Sequence, residues 1–239
     1  MVTSAEVFGV TRKLPLNYVE RDSADGLLVD NLTREKHLVI FGSSKQGKTS
    51  LRKHALKDDD YIVIQCSNKW ECSDINSAIL KQAGFEVTLS QEKSFTGKSK
   101  IKAGLKAGFI FGSANAEAEA EREKCQALQT APLELDPDDV NDIIRALDEI
   151  NFNKFIVLED FHYLPTETQK DFSVALKAYH EKSALCFIIV GVWLEEDRIT
   201  LYNGDLRSRI QTINADNWTK DELRRVVSEG ERLLNIKFN

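Results

Sequence analysis

The sequence predicts a three-layer α/β core built around a parallel sheet. Short apolar runs recur along the 239 residues, segments of helical periodicity separate them, and the first run leads through a glycine-rich loop into a helix. The runs are rich in β-branched residues and almost free of charge, as is typical of strands buried on both faces of a parallel sheet. Five strands are predicted, over residues 38–41, 61–66, 155–158, 184–192 and 210–213.

Cap residues and apolar stripes predict helices between these strands. Asp136 is expected to cap a helix that runs to about Glu149, because acidic residues fill its first turn. Thr219 and Glu222 form a capping box that begins the last helix, and Gly230 interrupts the apolar stripe of that helix. Further helical segments are predicted after Lys48, over 74–83 and 166–182, and, mixed with turns, over 194–207.

Composition narrows the class of protein. No apolar run approaches the length of a membrane span, and the N-terminus lacks the pattern of a signal peptide. The four cysteines show no C-x-x-C spacing, so we expect neither disulfides nor a metal site from them, and the predicted compartment is the cytoplasm. The net charge of −6 argues against a protein that is basic overall, but it leaves a local basic patch open.

The loop after the first strand carries a motif for binding a nucleoside triphosphate. Residues 37–50 read HLVIFGSSKQGKTS and contain the pattern G-x-x-x-x-G-K-[ST] between strand and helix. Glycines let backbone N–H groups curl around phosphates at the positive end of the helix dipole. Lys48 is expected on the β/γ-phosphates of ATP, and the Thr49 hydroxyl on Mg²⁺. The predicted cofactor-binding residues of the loop are Gly42, Ser43, Ser44, Lys45, Gln46, Gly47, Lys48, Thr49 and Ser50.

Two acidic residues at the end of the third strand complete the predicted site. The strand FIVL runs directly into Glu159 and Asp160. Open α/β sheets place their chemistry at the carboxyl ends of strands, and ATP hydrolysis needs acidic groups for Mg²⁺ and for the attacking water. Acids in this position also cap following helices, so a purely structural role is the alternative.

The two motifs in this order resemble the AAA+ group of P-loop ATPases, including the STAND nucleotide switches. GSSKQGKT resembles the Walker A loop, FIVLED resembles the Walker B strand, and 206–210 resembles the serine–arginine box of clamp loaders. The resemblance implies the strand order 5-1-4-3-2. It also implies that Glu159 lies on the metal side, that Asp160 lies on the water side, and that Arg209 reaches the ATP of a neighbouring subunit.

The chain departs from that group in three places. The Walker B pair is usually Asp then Glu, whereas Glu precedes Asp here, so the two roles can be shared or exchanged. The end of the fourth strand, 189–193, lacks the usual polar sensor residue. A helical lid usually follows the fifth strand, and only one helix is predicted in 217–239, so the lid is reduced or the chain is a fragment.

The remaining segments divide into a lead-in and an insertion. Residues 1–36 form the lead-in to a core over 37–216, and Tyr18 and Val19 within it suit an adenine slot by residue type. Their alternative role is to cover the sheet edge. Residues 90–134 are interpreted as an insertion into the core, because they hold no long apolar run.

The insertion is predicted to fold back on itself as a β-hairpin over 98–123. Lysines alternate along its first half and glutamates along its second, so that Lys102 would face Glu121 and Lys100 would face Glu123. The thin Ala/Leu face and the apolar tip, 109–111, would then rest on a partner or on a neighbouring subunit. The alternative is a helix over 114–128, because Ala and Glu are strong helix formers.

Together these features predict an ATP-binding and ATP-hydrolysing AAA+ or STAND-like module. By the resemblance, nucleotide would control its assembly into a homo-oligomer or the remodelling of partners, with DNA as one candidate partner. The alternative is a nucleotide-gated switch or scaffold with little turnover that regulates an effector. A small-molecule kinase also uses such a loop, but it needs a basic lid over the phosphates, and we find no such segment.

Overall fold

The computed structural model describes residues 2–9, 13–93, 99–106 and 118–237. The strands of this part of the chain are β1 (His37–Phe41), β2 (Tyr61–Gln65), β3 (Phe85–Lys93), β4 (Ser99–Leu105), β5 (Leu133–Leu135), β6 (Phe155–Glu159), β7 (Phe187–Val190) and β8 (Ile210–Asn214). Its α-helices are α1 (Ser4–Phe8), α2 (Leu27–Leu32), α3 (Lys48–Ala55), α4 (Cys72–Gln82), α5 (Ala118–Thr130), α6 (Val140–Glu149), α7 (Thr166–Lys182), α8 (Arg198–Tyr202) and α9 (Lys220–Leu234).

Five of these strands form the predicted parallel sheet, in the order β8-β1-β7-β6-β2. Counted without β3, β4 and β5, which form a separate sheet, this is the order 5-1-4-3-2 that the resemblance implied. The central strand β1 lies between β7 and β8, with Leu38 opposite Ile188 on one side and Gln211 on the other. Because all five strands are parallel, their carboxyl ends meet at one edge of the sheet, where β1 leads into the glycine-rich loop.

Helices cover both faces of the sheet, which confirms the three-layer architecture. Side chains alternate between the faces along each strand. On one face, Ile40 and Val157 pack with Leu51 of α3 in a buried cluster that α2 also joins. On the other face, Val39 and Ile156 belong to a larger cluster that α4, α6 and α7 complete.

The helix between β5 and β6 begins later than the sequence predicts. Asp139, and not Asp136, is the N-cap of α6, and its carboxylate accepts the backbone N–H of Asn141 at 2.9 Å. Asp136 instead closes a tight turn, in which its carbonyl accepts the N–H of Asp139 at 3.0 Å. The proline within this turn is compatible with either arrangement, so the sequence could not separate the two caps.

The hairpin predicted over 98–123 is wrong in its second half. Strand β4 pairs antiparallel with β3 on one side and with β5 on the other, in a three-stranded sheet. Residues 118–130 form the helix α5, so the alternative prediction of a helix from Ala and Glu is the better one for this stretch. Strand β4 does not pair with the glutamate-rich segment, because β3 and β5 supply its backbone hydrogen bonds on both sides.

The lysines of β4 form ion pairs with acids of β3 and β5, whereas the sequence predicted pairs with the glutamates of 117–123. Lys102 Nζ lies 3.3 Å from Glu134 of β5, and Lys100 Nζ lies 3.8 Å from Glu92 of β3. The apolar face of the strand, Ile101, Ala103 and Leu105, is buried in the main core cluster of the same chain. That face therefore needs no partner, and the predicted apolar tip, 109–111, lies outside the described residues.

The lead-in packs against the last helix. The ring of Phe8 lies over Gly230, where a Cβ atom would approach the Phe8 ring to 2.0 Å. Asn17 Nδ2 donates to the carbonyl of Val226 at 3.2 Å, and Arg225 donates to the carbonyl of Glu20 at 2.8 Å. The glycine that seemed to weaken α9 in the sequence thus provides the space into which the lead-in packs.

A buried histidine at the start of β1 makes the stability of this fold sensitive to acid. His37 Nε2 donates to the carbonyl of Leu176 at 3.1 Å, and Nδ1 accepts the N–H of Phe187 at 3.2 Å. Burial lowers the pKa of His37 to about 4, because the charged form would lose its water. The neutral ring is therefore the form that the fold holds.

We expect acid to destabilise the protein through His37. The unfolded chain takes up this proton near pH 6.5 and the folded chain only near pH 4, so stability falls as pH drops between them, by about 3 kcal/mol in full. Urea unfolding across this range should show a shallower pH dependence for His37→Gln, whose amide both donates and accepts. Equal pH slopes in the two proteins would contradict this account.

Candidate functional site

The glycine-rich loop has the backbone shape of an anion-binding nest. Gly42, Lys45 and Gly47 have positive φ angles of 138°, 65° and 80°, and α3 begins immediately afterwards at Lys48. Gly47 supplies the left-handed turn that leads directly into the helix N-terminus. Such turns point successive backbone N–H groups inward, next to the positive end of the helix dipole.

Lys48 lies across the mouth of this loop. Its Nζ donates to the carbonyl oxygens of Gly42 at 2.9 Å and Ser43 at 2.6 Å. Burial lowers the pKa of Lys48, and the nearby charges of Asp216, Glu159 and Asp160 oppose that shift. Two predicted site acids and a third that the sequence did not indicate therefore act on the same ammonium group.

The third acid, Asp216, ties the phosphate loop to the segment before α9. Both of its carboxylate oxygens accept the backbone N–H of Ser43, at 2.8 and 2.9 Å, and one also accepts the Ser43 hydroxyl at 2.8 Å. A Cβ atom on Gly42 would lie 2.6 Å from this carboxylate, which is one reason for a glycine there. Nothing in the sequence around Asp216 indicated this contact.

The two acids at the end of β6 have different surroundings. Glu159 is buried, and its Oε1 accepts a hydrogen bond from Arg52 Nε of α3 at 3.0 Å. Burial raises the pKa of Glu159, and the charge of Arg52 opposes the rise. Asp160 has a left-handed backbone, with φ of 54°, and its carboxylate accepts the side-chain amide of Gln65.

The predicted adenine contacts lie beside α3. The Tyr18 ring stacks on His54 with centroids 4.6 Å apart, its hydroxyl donates to Asp25, and Val19 is buried. Burial and the bond to Asp25 raise the pKa of Tyr18 above its usual range. These contacts give both residues a structural role, and their contact with a base stays a prediction.

A neighbouring residue, Arg21, connects the lead-in to the phosphate loop region. Its guanidinium is fully buried, donates to the carbonyl of Ala215 at 2.8 Å and lies over the Trp218 ring at 4.2 Å. Ala215 immediately precedes Asp216. The lead-in, the segment before α9 and the phosphate loop therefore meet at one place.

Arg209 lies at the amino-terminal end of the parallel strands, opposite the end that carries the glycine-rich loop. Its carbonyl accepts the N–H of His37, the first residue of β1, whereas the phosphate loop follows the last residue of that strand. Its guanidinium pairs with Glu181 of α7 at 2.7 Å and also donates to the carbonyl of Asp205. Within one chain, Arg209 therefore does not reach the phosphate loop.

The end of β7 contains a polar group that the sequence did not indicate. Gly191 and Val192 offer no polar side chain there, as predicted, but His162 Nδ1 accepts the N–H of Val192 at 3.2 Å. Burial lowers the pKa of His162, and the charges of Asp160 and Lys48 act on it in opposite directions. A histidine following β6 thus stands where a sensor residue of β7 was expected.

The donor set at this edge fits Mg²⁺ held together with phosphates. Such sites typically use one or two carboxylates, a hydroxyl and water, and the chain offers the Thr49 hydroxyl in the first turn of α3 and the carboxylates of Glu159 and Asp160 at the end of β6. Within the described ranges, no group of three or more His, Cys, Asp or Glu residues is arranged as a cage for a metal ion. None of the described helices has the length and apolar character that a membrane crossing requires.

Comparison with known proteins supports the same architecture. A Walker-type ATPase of Pyrococcus abyssi superposes on 94% of this chain with a TM-score of 0.55 and 14% sequence identity. The Orc1 protein of Aeropyrum pernix, solved in complex with DNA, superposes on 96% with a TM-score of 0.53 and 12% identity. The chain has an AAA+-like P-loop ATPase fold.

The chain spans 64% of the length of the Pyrococcus protein and 53% of the length of Orc1. No protein-family model matches its sequence, and no curated protein is similar to it in sequence. At these identities, the superpositions establish the fold and leave the assignment of individual site residues to the geometry.

We expect the charge of Asp216 to weaken nucleotide binding. Asp216→Asn keeps an oxygen that accepts the Ser43 N–H, but it removes a negative charge beside the loop that is predicted to bind phosphates. ATP should therefore bind about three- to tenfold more tightly at low salt, and the gain should shrink at high salt. Titration calorimetry measures this, with Asp221→Asn on the exposed start of α9 as the matched control. Weaker binding would show instead that the loop needs this carboxylate.

Proposed function

We propose that this chain binds ATP with Mg²⁺ at the loop over 42–50 and hydrolyses it. The observation that carries the proposal is the convergence of Lys48, the loop and the two acids at the carboxyl edge of the sheet. In this proposal the loop N–H groups and Lys48 bind the phosphates. Mg²⁺, when bound, would neutralise phosphate charge, held by Thr49 and an acid that follows β6.

The remaining acid would orient the attacking water, since a carboxylate can position the water and accept its proton. Tyr18 and Val19 would border the base, because the lead-in reaches the site beside α3. We propose further that nucleotide state controls assembly into homo-oligomers, with Arg209 offered from the opposite edge of the sheet. DNA is a candidate partner, because the Orc1 protein with a similar fold was solved in complex with DNA.

A second candidate function is a nucleotide-gated switch with little turnover. It is favoured by the ion pair that holds Glu159 against Arg52 and by the reversed order of the two acids, Glu159 before Asp160. Such a module would bind ATP tightly, exchange it slowly and regulate an effector through the segment before α9.

Steady-state phosphate release, measured with and without duplex DNA and over a range of protein concentrations, separates the two functions. Turnover per chain that rises with protein concentration or with DNA supports the assembling ATPase. Tight ATP binding by calorimetry without turnover under any of these conditions supports the switch. Absence of ATP binding would contradict both.

A further inference from the structure

Arg52 is the one basic side chain of α3 that reaches the end of β6 in a buried ion pair. It lies four residues after Lys48, so both side chains project from the same side of the helix. Glu159 lies on the sheet face that α3 covers, because it shares that face with Val157 of the same strand. The ion pair thus follows from two neighbouring elements and spans 107 positions of the sequence.

The surroundings of Arg52 hold its guanidinium in place. The side chains of Arg52 and Glu159 are 4% and 11% exposed, and the guanidinium lies 4.5 Å from the centre of the Tyr61 ring. Two charges this deeply buried are stable only together, since removal of one leaves the other without water or partner. Glu159 therefore already has a counter-charge from within the chain.

Asp160 has no such buried ion pair, and the nearby Lys48 ammonium acts on it and on Glu159 alike. No ion pair involves its carboxylate among the described residues, and its recorded hydrogen bond comes from the neutral amide of Gln65. Strand β6 ends at Glu159, and Asp160 follows in a left-handed conformation in which its carboxylate meets Gln65 of β2 and not Arg52 of α3.

We propose that Arg52 is a positioning residue that neutralises Glu159 and leaves Asp160 as the acid that faces Mg²⁺. This reverses the order implied by the Walker B resemblance, and it rests on the proposed ATP site. A divalent cation is attracted to a carboxylate whose charge is still free, and the Arg52–Glu159 pair is neutral as a unit. Glu159 then orients α3, and with it Lys48, through Arg52.

The test measures how strongly Mg²⁺ enhances ATP binding, as the ratio of the Kd in EDTA to the Kd in Mg²⁺. Asp160→Asn should lower this ratio at least about tenfold and leave the Kd in EDTA within twofold of wild type. Glu159→Gln should keep the ratio within about twofold but lower the Tm by about 6 °C or more, because Arg52 is left buried and unpaired.

Variants of Arg52 test whether its positive charge, and not only the volume of its side chain, determines which acid faces Mg²⁺. Arg52→Gln leaves Glu159 buried without its counter-charge, which favours the protonated form of this acid. The ratio, measured at alkaline pH where Glu159 ionises, should therefore rise at least about threefold. Arg52→Lys keeps the positive charge and should keep the wild-type ratio. Asp221→Asn, which breaks an exposed ion pair with Arg224, controls for the loss of one carboxylate charge. Should Arg52→Gln fail to fold, the comparison of Asp160→Asn with Glu159→Gln still decides the assignment.

The outcomes distinguish this inference from the proposed function. A ratio that collapses in Glu159→Gln and survives in Asp160→Asn would overturn the inference and leave ATP binding intact. An unchanged ratio in folded Arg52→Gln would likewise remove Arg52 from any role at the metal. Wild-type protein that binds no ATP in EDTA or Mg²⁺ would overturn the proposed function and this inference with it.

Discussion

Lys48→Ala should abolish ATP binding while the domain stays folded. The ammonium lies on the carbonyls of Gly42 and Ser43 at the mouth of the loop, and its hydrogen bonds to phosphate oxygens would be charge-assisted. Loss of two such bonds corresponds to about a hundredfold or more in affinity. Titration calorimetry should therefore detect no binding at ATP concentrations that saturate the wild type.

The control for this variant is Lys81→Ala on the exposed side of α4, which removes the same charge far from the loop. It should bind ATP as the wild type does. Circular dichroism should show a folded Lys48→Ala protein, because alanine favours the helix that begins at this position. Normal ATP affinity in a folded Lys48→Ala protein would remove the loop from nucleotide binding.

Arg209→Ala should lower ATP turnover by about 10³-fold if each assembled site receives its arginine from the neighbouring chain. Within one chain the guanidinium pairs with Glu181 at the edge of the sheet opposite the phosphate loop. It can therefore act on ATP only in trans. The structural alternative is a partly exposed ion pair worth about 0–1 kcal/mol, whose loss would leave turnover almost unchanged.

Mixing two inactive proteins distinguishes these roles. Arg209→Ala keeps an intact loop, and Lys48→Ala keeps an intact arginine, so a mixed assembly contains some complete sites. Phosphate release that reappears on mixing supports the trans role. Failure to regain turnover at any ratio, with assembly verified by light scattering, would reject it. Glu181→Gln frees the arginine from its partner in the chain and should retain turnover.

Local chemistry was enough to predict much of the fold. Short apolar runs rich in β-branched residues favour strands of a parallel sheet, and the helices between them follow from periodicity. The capping box was predicted correctly: the Thr219 hydroxyl accepts the N–H of Glu222 at 3.2 Å, and Glu222 accepts the N–H of Thr219 at 2.7 Å. Each of these signals joins residues a few positions apart, which is the range over which a sequence pattern has physical meaning.

The insertion shows where local signals become insufficient. Alternating lysines predicted β4 correctly, but alternating Ala and Glu fit a strand by period and a helix by propensity. Only the partners of β4 decide between them, because β3 and β5 occupy both of its edges. The propensity of Ala and Glu for helix then determines the conformation of 118–130.

By itself, the sequence determined the phosphate loop, the two acids and the layered sheet, since each arises from neighbouring residues. The tertiary structure alone decided the partners of those groups. Arg52 meets Glu159 across 107 positions, and Asp216 meets Ser43 across 173. No spacing encodes such contacts, because they depend on which strands lie side by side and on which helix covers them. Which acids at the site are paired within the chain is therefore decided by the tertiary structure.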